Sequence, residues 1–311
     1  MQTVFTTDPA EAAEFIKNGG IVAFPTETVY GLGANVFDAA AVGKVFEAKR
    51  RPADNPLIVH VARAKQIDQL ASEVPRAARI LIDTFFPGPL TVVLSKSERV
   101  PLIATAGLDT VGARMPRLGI ARAFLEACGV PVAAPSANLS GRPSPTTWAA
   151  VAEDLDGRID CILQGPATEL GLESTVVDCS GEVPVVLRAG TIPIEQLREV
   201  LPTIRTSADI DQAKRSPGTR HQHYKPAAKV VLISHPEGID RSPGTAYIGL
   251  AHSVSPFDFQ LVCRNVDDYA RSIYEFLREC DRRLIATVYC QEVDESGVGA
   301  ALMDRLRRAA D

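Results

Sequence analysis

Apolar positions along this chain fall into two spacings that alternate: runs with one buried helical face, and short apolar stretches bounded by turn residues. Asp8-Pro9 reads as a cap followed by a first-turn proline, Ala12, Ala13, Phe15 and Ile16 supply one buried face, and Gly19-Gly20 stops the helix. Residues 20–24 then form a short apolar strand that runs into the polar turn Pro25-Thr26-Glu27-Thr28. The same alternation predicts helices over 39–48, 76–86 and 120–128, and strands over 57–61, 90–94 and 130–134. Next come a helix capped by Thr146 or Thr147, strands near 160–163, 174–178 and 183–187, and a helix over 193–201. The last two of those strands are too close for a helical crossover, so they predict an antiparallel pair and a mixed α/β sheet layered with helices.

Between 202 and 226 the pattern breaks. Apolar residues become few, Ser216-Pro217-Gly218 makes a turn, and the stretch 214–229 carries five Lys or Arg and two His with no acid. Such a segment reads as a linker or a lid over a site. Periodicity resumes with strands over 229–233 and 245–250, an amphipathic helix over 267–282, a strand over 284–289 and a terminal helix over 299–308. The organisation expected is an α/β domain over 1–205, a linker or lid over 206–227, and a small Rossmann-like α/β domain over 228–311.

A chain of 311 residues exceeds the usual single-domain range, which fits that division. Apolar residues at 46% and charged residues at 23% are ordinary for a folded chain and exclude a disordered one. No apolar run approaches the roughly 18 to 20 residues that span a bilayer, and residues 1–14 lack a signal peptide's basic flank, so a cytoplasmic protein with no membrane contact is expected. Cys128, Cys161, Cys179, Cys263, Cys280 and Cys290 lie far apart in apolar stretches with no C-x-x-C pair, the pattern of buried inert thiols. A net charge of −5 argues against general nucleic-acid binding, so basic chemistry has to be local.

The common nucleotide fingerprints are missing. Gly31-Leu32-Gly33 and Gly297-Val298-Gly299 each begin G-x-G without the third glycine of a dinucleotide fold, and no phosphate loop, H-E-x-x-H helix or G-x-S-x-G turn is present. Any nucleotide phosphates must therefore be held by side chains. Lys49-Arg50-Arg51-Pro52, followed by Asn55-Pro56, presents cations from a proline-stiffened loop ahead of a strand, and Ser136-Ala137-Asn138 follows a strand directly with two polar side chains projecting one way. Taken singly, each segment is equally an ordinary solvated loop or turn.

Taken together, Pro25-Thr26-Glu27-Thr28-Val29-Tyr30-Gly31-Leu32, Lys49-x-Arg51-Pro52 with Asn55-Pro56-Leu57, Ser136-x-Asn138 and Ser174-Thr175-Val176-Val177-Asp178 resemble, in order and spacing, the YrdC-like family of threonylcarbamoyl-AMP synthases. Ser216-Pro217-Gly218 through His223-Tyr224-Lys225-Pro226 resembles the linker of that family's longer, Sua-type branch. The resemblance implies a YrdC-like twisted mixed sheet and a reaction that joins L-threonine, bicarbonate and ATP into threonylcarbamoyl-AMP and pyrophosphate, for threonylcarbamoyladenosine formation at position 37 of tRNAs. By that likeness Lys49 and Arg51 would act in catalysis, and ATP would be bound by Lys49, Arg51, Asn55, Thr110, Ser136, Asn138, Ser144, Arg188, His223 and Tyr224. Threonine would be bound by Thr28, His60, Arg114, Ala134 and Ser174.

The residues themselves agree with such chemistry. Nucleotidyl transfer asks for positioning and for cations against developing charge, and an arginine fork suits an amino acid's carboxylate. His60, alone in an apolar strand, reads on local grounds more as a packed core histidine than as a ligand. Magnesium is expected with ATP, although no acid stands out as its ligand. A tRNA threonylcarbamoyltransferase is the expected downstream partner, with tRNA bound weakly or indirectly. Two rivals stand beside this reading: an RNA-binding module, and a relative that uses carbamoyl phosphate.

Overall fold

The computed structural model describes residues 2–206, 224–239, 243–253 and 257–311. The first domain begins with β1 (Val4–Thr6), α1 (Pro9–Lys17), β2 (Val22–Phe24), β3 (Gly31–Asn35), α2 (Ala39–Lys49) and β4 (Ile58–His60). After a 3-10 turn at Ala64–Gln69 come α3 (Arg76–Phe85), β5 (Leu90–Ser95), α4 (Leu102–Thr105), β6 (Thr110–Arg114), α5 (Gly119–Cys128) and β7 (Val132–Ala134). It closes with α6 (Trp148–Leu155), β8 (Cys161–Leu163), β9 (Thr175–Asp178), β10 (Val185–Arg188), α7 (Ile194–Val200) and β11 (Arg205–Thr206). These strands form one mixed sheet in the order β1-β8-β2-β3-β7-β4-β6-β5-β9-β10-β11.

Local chemistry explains the elements. Asp8 caps α1 by accepting from the Ala10 N–H at 2.8 Å, and Asp38 caps α2 through the Ala40 and Ala41 N–H groups. Strand alternation sorts the core into two layers. Ala23, Ala133 and Ile162 face the large cluster under α2, α3, α6 and α7, whereas Val22, Phe24, Val132, Ala134, Cys161 and Leu163 face α1 and α5. Beyond the α1–α5 layer, the second face of β4 and β6 carries Ile58, His60 and Arg114, next to the small apolar cluster of Val93, Val176 and Leu187 on β5, β9 and β10, and there the site is built.

The G-x-G of Gly31 and Gly33 is a sheet feature and not a phosphate turn. β3 pairs antiparallel with β2 and β7, and a Cβ on Gly33 would come within 2.5 Å of Val132 and 3.0 Å of the Phe24 ring. The predicted antiparallel pair is β9 with β10, through Val177 and Val186.

The second domain holds β12 (Lys229–Ile233), β13 (Thr245–Gly249), β14 (Phe259–Val262), α8 (Val266–Arg282), β15 (Thr287–Gln291) and α9 (Gly299–Ala310). Its four strands are parallel, in the order β12-β15-β13-β14. Of the expected linker over 206–227, residues 207–223, His223 among them, lie outside the described residues. Among the described residues no helix is long and apolar enough to cross a membrane. All six cysteines are free and buried, and burial pushes the thiols of Cys128, Cys161, Cys179, Cys263 and Cys280 up to about 12.

Candidate active site

Register places the floor of the site. His60 pairs with Arg114 and Ile58 with Gly112 between β4 and β6, while Ile58 also lies opposite Ala134 on β7. Residues two apart on a strand share a face, so Ile58, His60, Arg114 and Ala134 line one cavity. Gly112 keeps the floor low: a Cβ there would approach Thr91 Cγ2 to 3.2 Å.

Arg114 is buried and ordered from three sides. Its guanidinium donates to Glu27 Oε1 at 2.7 Å, to Thr28 Oγ1 at 2.8 Å and, through Nε, to the Gly88 carbonyl at 3.4 Å. Glu27, fully buried, also accepts from the Arg117 N–H at 3.2 Å, so its charge is compensated where water cannot reach. Thr28 is held in turn by Thr26 at 2.8 Å, and Ser174 exchanges a hydrogen bond of the same length with Thr91.

His60 lines the same cavity and is buried, with its ring edge-on to Phe24 at 5.5 Å and no hydrogen-bond partner at Nδ1 among the described residues. Burial first, and the Arg114 charge second, lower its pKa to about 3, so it is neutral at pH 7. In the unfolded chain it would titrate near 6.5, so the folded state takes up fewer protons and stability falls as pH drops from about 6.5 toward 3. Between pH 7.5 and pH 5 the expected loss from this group is about 2 kcal/mol. Urea midpoints of the native chain and a His60→Gln variant at the two pH values check it: the variant's loss is smaller by that amount, and an unchanged difference would refute the effect.

Further cations gather at the same cavity. Arg51 donates to the backbone carbonyls of Asn55 at 3.3 Å and Pro56 at 3.2 Å, and Arg188 reaches the Ser174 carbonyl through NH2 at 2.9 Å. Burial is the main reason that the Arg51 guanidinium falls to about 10, with Arg188 adding repulsion, and Arg188 is likewise lowered by burial, then by Arg305. Lys49 Nζ donates to the Ser136 carbonyl at 2.5 Å and to that of Asn138, and burial followed by the Arg51 charge drives its pKa well below the ordinary lysine value. A cluster of buried and half-buried cations that disfavour one another is what a polyanion would relieve.

Ser136, Asn138 and Ser144 edge the cavity from the loop after β7. Ser136 Oγ donates to Asn138 Oδ1 at 2.5 Å, and Asn138 Nδ2 closes the loop on the Leu139 and Arg142 carbonyls at 2.8 and 2.9 Å. Tyr224 lines the cavity too, with φ at +67°, its ring stacked on Tyr274 with centroids 5.3 Å apart.

Eleven of the residues expected from sequence thus line one cavity: Thr28, Arg51, His60, Arg114, Ala134, Ser136, Asn138, Ser144, Ser174, Arg188 and Tyr224. Three others do not. Lys49 sits beneath the loop and faces its carbonyls; Asn55 is buried beside Arg51; Thr110 begins the strand that ends at Arg114, about 13 Å away along it. Sequence reasoning missed Glu173, which lines the cavity and accepts from Ser144 Oγ at 2.7 Å and Arg305 Nε at 2.9 Å. It also passed over Glu27 as a partner of Arg114, although the residue stands inside the quoted motif.

The model of the Sua5_yciO_yrdC family, described as telomere recombination, matches residues 14–190, more than half of the chain. The chain belongs to the Sua5/YciO/YrdC family. A second model, described as the threonylcarbamoyl-AMP synthase C-terminal domain, matches residues 192–311 of this family member. A Pyrococcus abyssi protein named threonylcarbamoyl-AMP synthase is 45% identical, covering 96% of this chain and 93% of its own. A Bacillus subtilis protein of the same name is 40% identical over 98% of this chain and 94% of its own. The crystal structure of P. abyssi Sua5 complexed with L-threonine superposes with a TM-score of 0.91 at 41% identity, over 99% of this chain and 97% of the other.

Proposed function

We propose that this Sua5/YciO/YrdC family member is an L-threonylcarbamoyl-AMP synthase, a nucleotidyltransferase that condenses L-threonine, bicarbonate and ATP for threonylcarbamoyladenosine formation in tRNA. The observation that carries this reading is one cavity with two unlike halves. Half-buried Arg51 and buried Arg188, with the Ser136–Asn138–Ser144 loop, suit a triphosphate and ribose; Thr28, neutral His60, Arg114 and Ser174 suit a small hydroxyl-bearing amino acid.

In the reaction, the threonine amine adds to bicarbonate with loss of water to give a carbamate. A carbamate oxygen then attacks the α-phosphorus of ATP and pyrophosphate leaves. Arg114 would pair the amino acid's carboxylate, Arg51 and Arg188 would meet charge developing on the phosphates, and burial would strengthen each contact by excluding water. Magnesium would enter on the triphosphate: Glu173, the carboxylate that lines the cavity, has both oxygens engaged by Tyr274, Ser144 and Arg305, and no metal-holding cluster occurs among the described residues. The adenylate is labile, so a transferase that consumes it on tRNA is the expected partner.

The test is pyrophosphate release from ATP with L-threonine and bicarbonate each supplied or withheld. Release that requires both is expected. Release indifferent to threonine, or supported by carbamoyl phosphate in place of bicarbonate, would overturn the assignment.

A further inference from the structure

Two arginines of the second domain, Arg278 on α8 and Arg305 on α9, are each only 1% exposed, and both end on residues of the first domain. Arg278 grips Asp154 on α6 through NH2 at 2.8 Å and NH1 at 3.3 Å, and also donates to the Pro143 carbonyl at 2.6 Å. Asp154 itself accepts from the Leu139 N–H at 3.1 Å and from Arg142. One carboxylate and one guanidinium therefore tie down the stretch between Asn138 and Ser144.

Arg305 and Tyr274 do the same at Glu173. Tyr274 OH donates to the Glu173 carboxylate, 3.1 and 3.0 Å from its two oxygens, while Arg305 takes Oε2 at 2.9 Å and the Ala189 carbonyl at 3.0 Å, one residue beyond Arg188. Burial works against the charge on Glu173, but Arg305, Arg188 and the Ser144 hydroxyl hold its pKa below the usual value. It stays an acceptor for Ser144, whose hydroxyl is thereby aimed.

We infer that Arg278, Tyr274 and Arg305 are positioning residues of the second domain that set the nucleotide half of the cavity. They act through Asp154 on the Asn138 loop and through Glu173 on Ser144 and Arg188. In the threonine half, Thr28 and Arg114 are hydrogen-bonded to Thr26, Glu27 and Gly88, all in the first domain, whereas Ser174 Oγ meets the second domain's reach through Arg188, which donates to it at 3.3 Å. The second domain therefore governs ATP affinity far more than threonine affinity. This rests on the reading of the two halves given above.

Calorimetric titration of ATP and of L-threonine into full-length Arg278→Gln and Tyr274→Phe chains tests it, alongside threonine-dependent pyrophosphate release by the native chain. Loss of the Arg278 fork is expected to weaken ATP by roughly tenfold or more, about the worth of one charge-assisted bond, and loss of the single Tyr274 hydroxyl by about threefold. Threonine stays within about twofold in both, and Arg278→Lys recovers part of the ATP loss. Equal weakening of both ligands, or a lowered melting temperature with both affinities unchanged, would reduce these residues to scaffold and overturn the inference. If Arg278→Gln does not fold, Tyr274→Phe, which deletes one oxygen, decides. A native chain without threonine-dependent release would overturn the functional reading itself, whatever the variants do.

Discussion

Replacing Arg114 by leucine is expected to lower kcat/KM for threonine by about a thousandfold and to destabilise the fold by about 3–5 kcal/mol, for two separable reasons. A guanidinium has five N–H donors; in this site Gly88, Thr28 and Glu27 use three, which leaves two for a carboxylate in the cavity. Removing the fork removes the charge that would orient the amino acid. It also strands Glu27, which is fully buried and would then have only the Arg117 N–H. The second cost can be relieved without the first: a Glu27→Gln, Arg114→Leu chain no longer buries an unpaired charge, so most of the stability returns while threonine use stays lost. Denaturant unfolding and initial rates over a threonine series check both parts. A threonine KM unchanged in the leucine variant would remove Arg114 from the substrate site, and a double variant as unstable as the single one would refute the pairing with Glu27.

That pair shows where sequence stops being legible. The elements could be read because their causes are local: the Asp8 and Asp38 caps, the turn residues, the alternation that sends Val22 and Phe24 one way and Ala23 the other. Strands without a continuous apolar run escaped. β3 is interrupted by Gly31 and Gly33 and β6 by Gly112; a Cβ on Gly33 would collide with Val132 and press on Phe24, and one on Gly112 would crowd Thr91. The site residues were legible as motifs, and their partners were not. Glu173 lies beside the quoted Ser174 motif, yet its partners Tyr274 and Arg305 are 101 and 132 residues further along the chain. Spacing predicts chemistry only where one loop or strand carries it; it gave no sign that the Ser136 and Asn138 carbonyls would meet the Lys49 ammonium.

Lys49 and Arg51, neighbours in one motif, should accordingly fail in different ways when removed. Arg51→Ala is expected to lower kcat/KM for ATP about 10²- to 10³-fold, the range for loss of one preorganised donor to a developing charge. Its unfolding midpoint should hardly move, since removing a half-buried cation also relieves the repulsion on Lys49 and Arg188. Lys49→Met withdraws the donor from two loop carbonyls, and each buried acceptor left unpaired costs about 1–3 kcal/mol, so stability falls and ATP binding weakens as Ser136 and Asn138 lose their fixed place. Threonine binding is spared in both. Parallel measurement of unfolding midpoints and ATP and threonine affinities separates the two roles. Were Lys49→Met as stable as the native chain with the ATP defect undiminished, its ammonium would belong to the phosphates and the loop contacts would be incidental. Were Arg51→Ala to bind ATP normally, the phosphate half of the cavity would have to be sought around Arg188 alone.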